Sequence, residues 1–310
     1  MKVLIELPTW MGDAVMSSPA IRNLIDHLNA KDVTFIGPKI NIEIYSSLKE
    51  TTAVFALNKN LKDLSTILKL EKYNYFFSFR SSFRSSIIKW AIRSEKKFQF
   101  SKRKYIVGHQ VEKYNNFIND SIGISSKPGP LDISKMKTNR PRKKKRNLGI
   151  NPGASYGSAK MWLTERFAEV AQNLSDDFDI FIFGGANEIE ISNEIEKIFI
   201  ENNISNYKNM AGKTSINELI ELIAEMDVFI TGDSGPMHLA AALQIPSISL
   251  FGPTKSNETS QWKNKRSLII KKNLLCQPCM ERECPLGHRN CMTEITSKEV
   301  LLNVKKLLNL

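Results

Sequence analysis

The stretch TGDSGPMHLAAALQIPSISLFGPT, residues 231–254, contains the pattern that decides the fold. An apolar strand ends at Thr231, an acidic turn of small residues follows, and a helix begins near Pro236. A second apolar strand, 247–252, then ends at Gly-Pro. A strand, a helix and another strand in this order predict a βα unit of a parallel sheet.

Strands and helices alternate along the rest of the chain as well. Short apolar runs predict further strands at 2–7, 33–37, 75–79, 147–153, 178–185 and 228–235. Residues 127–146 lack apolar periodicity and are rich in proline and charge, which predicts a linker. We therefore expect an α/β chain with two facing, doubly wound, Rossmann-like domains and a ligand in the cleft between them.

The linker sets the expected domain bounds. The first domain spans 1–146, with the basic linker at its end, and the second spans 147–295. Residues 296–310 form an amphipathic pattern, which predicts a final helix that packs back on the body of the protein.

The composition is that of a soluble globular protein of 310 residues, with 42% hydrophobic and 25% charged residues. No apolar run is long enough for a transmembrane helix. The first apolar run contains Glu6 and continues to Asp13, so it indicates a core strand rather than a signal peptide, and we expect a cytoplasmic protein. The formal net charge of +12 favours anionic partners, although a merely basic surface is an equal alternative.

The positive charge is concentrated before residue 150, in 80–104 and in 140–146. The bases Arg80, Arg84, Lys89 and Arg93 recur at helical spacing, with apolar residues between them. This pattern predicts either an amphipathic helix with a solvated face or a patch for phosphates and carboxylates at a membrane, its apolar side touching lipid or core. No nucleic-acid-binding motif is present, so we expect no nucleic acid partner.

The turn after the 228–235 strand holds the first group of candidate ligand-binding residues. Asp233 lies in the turn before a helix start, where free N–H groups and the helix dipole favour phosphate, and His238 is expected to point from that helix start toward the same crevice. Gly232 and Gly235 allow a ligand to approach the backbone closely. The alternative is that Asp233 only caps the helix.

A second small-residue loop, NPGASYGSAKMW (151–162), follows the 147–153 strand. Its backbone amides, the hydroxyl of Ser155 and the ammonium of Lys160 suit a diphosphate. The spacing of a P-loop is absent. Alternatively, Lys160 is a solvated loop residue.

Asp13 follows Gly12 directly after the first strand. A carboxylate at that edge of a sheet can act as a general base, or it can be the N-cap of the next helix. Ser17 or Ser18, before Pro19, is the expected cap of the first helix.

All four cysteines of the chain, Cys276, Cys279, Cys284 and Cys291, fall within sixteen residues. Such a cluster in a cytosolic protein suggests structural zinc more than disulfides. Reduced thiols that pack a loop are the alternative, because the paired spacing of a zinc ribbon is missing.

Four segments occur in an order that resembles a glycosyltransferase family, the ADP-heptose:lipopolysaccharide heptosyltransferases. They are LPTWMGDAVMSSPA (7–20), NPGASYGSAKMW (151–162), TGDSGPMHLAAAL (231–243) and LFGPT (250–254). Within the family, the Lys160 loop and CQPCMERECPLGHRNCM (276–292) are most similar to the heptosyltransferase II branch, which adds the second inner-core heptose. The resemblance implies a GT-B fold with an acceptor-binding first domain and a donor-binding second domain.

The resemblance also implies an activity and its partners. The reaction is an inverting transfer from ADP-L-glycero-β-D-manno-heptose to the first heptose on Kdo–lipid A, with no required cofactor or catalytic metal. The enzyme is expected on the cytoplasmic face of the inner membrane. A member acting on Kdo or a later heptose, or a non-catalytic protein that binds anionic lipid or nucleic acid, is the alternative.

The resemblance implies a role for each matching residue. Asp13 is the expected catalytic base, and Arg80 and Arg84 are expected near the acidic groups of the acceptor. The expected donor-binding residues are Ser155 and Lys160 (diphosphate), Glu188 (ribose), Asp233 (heptose hydroxyls), Ser234 and Gly235 (phosphate oxygens, through the backbone) and His238 (turn or phosphate).

Overall fold

The computed structural model describes residues 1–58, 61–133 and 145–309. The chain divides into two compact units, Met1–Lys135 and Met136–Leu310. Each unit contains one sheet in which every pair of neighbouring strands is parallel. In the described part of the chain, no helix combines the length and the apolar character needed to cross a bilayer.

The first unit has a five-stranded sheet. Its strands are β1 (Lys2–Glu6), β2 (Asp32–Gly37), β3 (Thr51–Ala56), β4 (Tyr73–Ser78) and β5 (Ser94–Gln99). Its helices are α1 (Met11–Leu28), α2 (Lys39–Tyr45), α3 (Leu61–Lys69), α4 (Phe83–Ala91) and α5 (Gln110–Ile122). The strand order is β3-β2-β1-β4-β5, so the order reverses between β1 and β4.

The central strand of this sheet is β1, which the sequence predicts as a core strand. Val3, Leu4 and Ile5 are fully buried, which requires cover on both faces of the strand. Because β1 and β4 are parallel neighbours, the loops that follow them begin at the same edge of the sheet.

The first helix begins earlier than the sequence indicates. It starts at Met11, so Pro19 lies inside it, and the prediction that Ser17 or Ser18 caps the helix is wrong. Proline has no N–H for the Val15 carbonyl, and the Ser18 hydroxyl donates to that carbonyl at 2.7 Å instead. A neighbouring hydroxyl therefore compensates for the hydrogen bond that the proline cannot make.

The second unit has a six-stranded sheet. Its strands are β6 (Arg146–Asn151), β7 (Phe178–Ile182), β8 (Tyr207–Asn209), β9 (Val228–Gly232), β10 (Ser247–Phe251) and β11 (Ser267–Lys271). Its helices are α6 (Thr164–Leu174), α7 (Ile189–Glu201), α8 (Ile216–Ala224), α9 (Gly235–Ala242), α10 (Ser256–Thr259), α11 (Asn290–Thr293) and α12 (Ser297–Leu308). The helix α12 packs against α6 and contributes Val300 and Val304 to the core.

The strand order of this sheet is β11-β10-β9-β6-β7-β8. The chain runs outward in one direction from β6 and in the other from β9, so the topological switch point lies between these two strands. Ligands of doubly wound sheets bind beyond the carboxyl ends of the strands at such a point. The two segments predicted to bind the donor follow β6 and β9 directly.

The predicted linker, 127–146, is partly structured. Leu131 and Ile133 are buried, and Asp132 forms an ion pair with Arg22 of α1 at 3.2 Å, so this part packs on the first unit. Residues 134–144, which hold most of the predicted basic cluster, lie outside the described residues.

The basic run 80–104 is not one helix. Only Phe83–Ala91 is helical, and Ser94–Gln99 forms the edge strand β5. Arg80 and Arg93 therefore lie outside α4, and the helical spacing of the four bases is only partly realised.

Candidate active site

Asp13 lies in the first turn of α1, shortly after the carboxyl end of β1. The N-cap position belongs to Trp10, whose side chain makes no capping hydrogen bond, so the reading of Asp13 as an N-cap is wrong. Its Oδ1 accepts a hydrogen bond from the hydroxyl of Tyr114 at 3.3 Å. The helix dipole also favours a negative charge in the first turn.

Tyr114, on α5, orients this carboxylate from within an aromatic cluster. It is 4% exposed and packs on Phe79 and Phe100, with ring centroids 5.4 and 4.9 Å away. Burial raises the pKa of Tyr114 well above its usual value, and the nearby charge of Asp13 raises it further. The hydroxyl therefore stays protonated and remains a donor.

The turn between β1 and α1 is fixed by a buried amide. Asn41, which is 1% exposed, donates through Nδ2 to the carbonyl of Pro8 at 2.7 Å and to that of Thr9 at 3.2 Å. The backbone that leads to Asp13 is thus held at two consecutive carbonyls by one buried side chain.

The second unit brings Lys160 and Asp233 together. The Lys160 Nζ donates to Asp233 Oδ2 at 2.6 Å and to the Asp233 main-chain oxygen at 3.2 Å. Thr254, after β10, donates to the same Oδ2 at 2.7 Å, and the ammonium also lies 4.5 Å from the centroid of the Tyr156 ring. The side chains of Lys160 and Asp233 are only 11% and 6% exposed, so Lys160 is not a solvated loop residue.

A hydroxyl and amide network joins the ends of β6 and β9. Asn151 pairs with Thr231 in the sheet, and its Nδ2 donates to the Gly153 carbonyl at 3.2 Å. The Thr231 and Ser234 hydroxyls are 2.9 Å apart. Ser234 is the N-cap of α9, yet its side chain makes no capping hydrogen bond, so it does not occupy the N–H groups at the helix start.

The remaining predicted donor residues differ in their surroundings. A carboxylate oxygen of Glu188 accepts the Gly185 N–H at 2.8 Å, and a Cβ at Gly153 would lie 2.3 Å from the Glu188 carboxyl carbon. Glu188 therefore packs against the bare backbone of the Lys160 loop. His238 is 3% exposed within α9, which places its ring in the interior beside the turn. Ser155 is exposed and takes part in none of the hydrogen bonds found among the described residues.

The cysteine segment, residues 276–291, is hydrogen-bonded to the Lys160 loop, residues 151–162. Three hydrogen bonds join them: from Tyr156 Oη to Met280 O (2.5 Å), from Ala159 N to Arg282 O (3.0 Å) and from Arg289 Nη2 to Met161 O (2.6 Å). A Cβ at Gly157 would lie 2.3 Å from the Arg282 oxygen, so the two backbones meet where only glycine fits.

The same segment is also hydrogen-bonded to the loop that carries Thr254. Gln277 donates to the Gly252 carbonyl at 2.8 Å, and the Met280 N–H donates to the Pro253 carbonyl at 2.9 Å. Both loops that hold Asp233 are therefore fastened to one segment.

The four cysteines and His288 line one pocket. The pKa of Cys284 is lowered by hydrogen bonds from backbone N–H groups, chiefly that of Arg289. The pKa of Cys291 is raised, mainly by burial and to a smaller extent by the neighbouring thiols. Across residues 1–58, 61–133 and 145–309, no three His, Cys, Asp or Glu side chains are arranged to hold a metal ion. The predicted zinc site is thus not confirmed and stays a prediction.

Arg80 and Arg84 are both paired with acids of the first unit. Arg80 Nη1 lies 3.4 Å from the fully buried Glu6, and Arg84 forms an ion pair with Asp63. Burial is the main reason that the pKa of Glu6 is raised, against the opposing effects of Ser78 and Arg80. These pairs reduce the charge that either arginine offers to an acceptor, and their acceptor-binding role stays a prediction.

Comparisons with known proteins agree with this geometry. The profile of glycosyltransferase family 9 (heptosyltransferase) matches residues 63–289. Lipooligosaccharide heptosyltransferase 2 of Campylobacter jejuni subsp. jejuni is 41% identical over 317 residues, covering 99% of this chain and 98% of that protein. The chain belongs to glycosyltransferase family 9, the heptosyltransferases.

Solved heptosyltransferases share its fold. ADP-heptose lps heptosyltransferase II of E. coli superimposes with a TM-score of 0.82 at 23% identity, covering 100% of this chain and 99% of that one. E. coli heptosyltransferase WaaC with ADP-2-deoxy-2-fluoro heptose gives a TM-score of 0.73 at 16% identity, covering 99% of each chain. The predicted α/β class with GT-B architecture is confirmed, and the protein is a glycosyltransferase.

Two residues that contact the candidate site residues carried no sequence signal that we used: Thr254, beside Asp233, and Tyr114, beside Asp13. Thr254 belongs to the quoted LFGPT segment, but only the sheet shows that β10 ends beside β9 and Asp233. Tyr114 lies 101 residues from Asp13, in a helix without any motif, so no sequence signal pointed to it.

Proposed function

We propose that this heptosyltransferase moves L-glycero-D-manno-heptose from ADP-heptose to the first heptose of Hep–Kdo–lipid A, with inversion at the anomeric carbon. The observation that carries the proposal is the buried set of Lys160, Asp233 and Thr254 at the switch point of the second sheet, beside the start of α9. This set supplies a cation and a fixed acid, and the start of α9 adds helix N–H groups that the Ser234 side chain does not cap, which is the chemistry that a sugar diphosphate requires. The second unit is accordingly the donor-binding domain and the first the acceptor-binding domain.

Lys160 and the start of α9 are proposed to stabilise the leaving group. As the bond between the anomeric carbon and the β-phosphate oxygen breaks, its electron pair passes to ADP and negative charge develops on the diphosphate. An ammonium and N–H dipoles that are already in place stabilise that charge where it develops. Asp233 keeps the Lys160 ammonium oriented, and its carboxylate is the proposed acceptor for a hydroxyl of the donor heptose.

The other donor contacts in the proposal use residues near this pair. Backbone N–H groups at Ser234 and Gly235 bind phosphate oxygens, and Ser155 reaches the diphosphate from its exposed turn. Glu188 binds the ribose, and buried His238 supports the turn.

Asp13 is the proposed general base. It takes the proton from the acceptor hydroxyl as that oxygen bonds to the anomeric carbon from the face opposite ADP. No separate acid is needed, because a diphosphate leaves as an anion. Tyr114 positions the Asp13 carboxylate through its hydrogen bond.

The proposed reaction uses no cofactor and no catalytic metal. Zinc at Cys276, Cys279, Cys284 and Cys291 would belong to the segment that fastens the donor loops, not to the chemistry. Metal analysis of protein purified under reducing conditions tests that prediction. About one zinc per chain supports it, and zinc-free protein with an unchanged melting temperature contradicts it.

The proposed place of action is the cytoplasmic face of the inner membrane, where a lipid-linked acceptor is presented. The excess of 44 Lys and Arg over 32 Asp and Glu suits such an anionic surface. Nucleic acid is not part of the proposal.

ADP release from purified protein, with ADP-heptose and Hep–Kdo–lipid A, tests the reaction. We expect acceptor-dependent release that Asp13→Asn reduces by at least about a hundredfold. Asp26→Asn, at the exposed end of the same helix, is the matched control and should retain full activity.

Repeating this assay with other acceptors distinguishes between members of the family. Activity only with Kdo–lipid A, or only with an acceptor that carries more heptoses, rejects the proposed acceptor and keeps the donor. Binding of ADP-heptose without turnover on any of these acceptors rejects the reaction.

A further inference from the structure

The helix α4 exposes three large apolar side chains on one side. Phe83 is 81% exposed, Ile87 42% and Trp90 82%. Their spacing of four and three residues places them on a single face of the helix, which we call the α4 face. A monomeric soluble unit rarely exposes such a group without a binding partner.

The opposite side of α4 already supplies the contacts that the fold needs. Ser85 and Ile88 are buried, and Ile88 belongs to the core of the first unit together with Ile92. The α4 face therefore adds nothing to that core. The sequence pattern allowed the apolar side of this helix to contact either lipid or the protein core. The exposure of these three side chains excludes contact with the core.

The sequence around α4 is strongly basic. Residues 80–104 contain nine Lys and Arg but one acid, Glu95. Three of the bases are paired with acids, and the other six have no carboxylate within 4.0 Å in the described part of the chain: Lys89, Arg93, Lys96, Lys97, Lys102 and Arg103.

A second exposed apolar pair follows β5. Ile106 and Val107 are 68% and 83% exposed. Gln99, the last residue of β5, donates to the Ser82 carbonyl at 3.3 Å, so the loop that leads to this pair starts beside the beginning of α4.

We propose that the α4 face docks on a membrane that contains anionic phospholipid, with Phe83, Ile87 and Trp90 in the interfacial region and the unpaired bases against the headgroups. Aromatic and aliphatic side chains flanked by lysine and arginine match this interface. A second copy of the chain would bring like charges together. This inference rests on the proposed lipid-linked acceptor.

Vesicle flotation tests the docking without using the transferase reaction. The probes are vesicles of phosphatidylcholine with phosphatidylglycerol and vesicles of phosphatidylcholine alone. We expect binding to the anionic vesicles, weakened by salt, and a loss of at least about tenfold in affinity for Phe83→Ser/Trp90→Ser.

Ile200→Ser/Leu302→Ser is the matched control, because these residues are 63% and 68% exposed on helices of the second unit. It should bind like the unaltered protein. The Trp90→Phe variant should still bind but lose the blue shift of tryptophan emission that vesicles induce, which distinguishes insertion of the α4 face from a general loss of folding.

Three results overturn the proposal. The first is equal vesicle binding by the Phe83/Trp90 variant and the control. The second is a dimer, seen in sedimentation, that only the Phe83/Trp90 substitutions disrupt. The third is binding of single-stranded nucleic acid at physiological salt that depends on the same two residues. Transfer to a detergent-dispersed acceptor is measured in parallel. If transfer fails while vesicle binding persists, the proposed reaction is at fault and the docking stands.

Discussion

The Lys160 ammonium lies 2.6 Å from Oδ2 of Asp233, although 73 residues separate the two in the sequence. Both side chains are almost completely buried, and Thr254 donates to the same carboxylate oxygen. The cation that we propose for the diphosphate is therefore fixed in place by the protein before the donor binds. Such preorganisation avoids reorganisation during the reaction.

Replacing Lys160 by Met should weaken ADP binding by roughly tenfold to a hundredfold, since a charge-assisted contact to phosphate is lost. It should also destabilise the second unit by about 3 kcal/mol, because Asp233 is left buried without its cation. Calorimetric titration with ADP and urea unfolding measure the two effects. Lys255→Met, which breaks a surface pair with Glu258, is the control and should change neither. Unchanged ADP affinity in Lys160→Met would show that the diphosphate binds elsewhere.

Tyr114→Phe should lower kcat by roughly threefold to thirtyfold while KM for ADP-heptose stays constant. The change keeps the ring in its aromatic cluster and removes only the hydroxyl that orients Asp13. Steady-state kinetics separates the two parameters.

Tyr105→Phe is the matched control for that experiment, because its hydroxyl donates to the carboxylate of Asp120 at 2.9 Å in the same unit. It should leave kcat unaltered. If both variants lose activity equally, the Tyr114 hydroxyl has no specific role in positioning Asp13.

Gly157→Ala should loosen the Lys160 loop from the cysteine segment. The new methyl group would lie 2.3 Å from the Arg282 carbonyl oxygen, so one backbone must move, at a cost of about 1–3 kcal/mol. We expect a lower melting temperature and weaker ADP binding. Gly129→Ala meets no atom within 4 Å and should behave like the unaltered protein. Identical ADP affinity in the two variants would mean that the contact between the cysteine segment and the Lys160 loop does not position Lys160.

Glu6→Gln should remove a pH dependence of stability. Burial raises the pKa of Glu6 in the folded state, so the folded protein binds its proton more tightly than the unfolded chain. The contribution is therefore present below the unfolded pKa of about 4.3 and is lost as pH rises toward the folded pKa.

The stability of Glu6→Gln relative to the unaltered protein should accordingly rise with pH across that window. Urea unfolding at a series of pH values measures it, with Glu194→Gln, at an exposed position that forms no ion pair in the described part of the chain, as the control. A difference that is constant, or that falls with pH, contradicts the assignment.

The sequence predicts the central strands well and the edge strands poorly. Buried on both faces, β1 and β9 appear as uninterrupted apolar runs. The edge strand β5 has the sequence SEKKFQ, and its partly exposed residues give no apolar run, so no strand was predicted there. The three-residue strand β8 was too short to give a pattern.

In the candidate site, likewise, the sequence predicts the individual residues but not the contacts between distant segments. The motifs indicated Lys160 and Asp233 because each lies in a segment that directly follows a strand. That the two form an ion pair depends on β6 and β9 being neighbours, and Thr254 joins them only because β10 lies next to β9. Pairings of this kind are properties of the sheet order, which no single segment encodes.

The edge strand β5 has one more consequence, which concerns the solubility of the chain. An outer strand presents unpaired N–H and C=O groups to any other extended polypeptide. Lys96 and Lys97 are adjacent in β5, so their ammonium groups extend from both faces of that edge. Two copies meeting edge to edge would bring four positive charges into contact, and this repulsion opposes the growth of an intermolecular sheet while the chain folds.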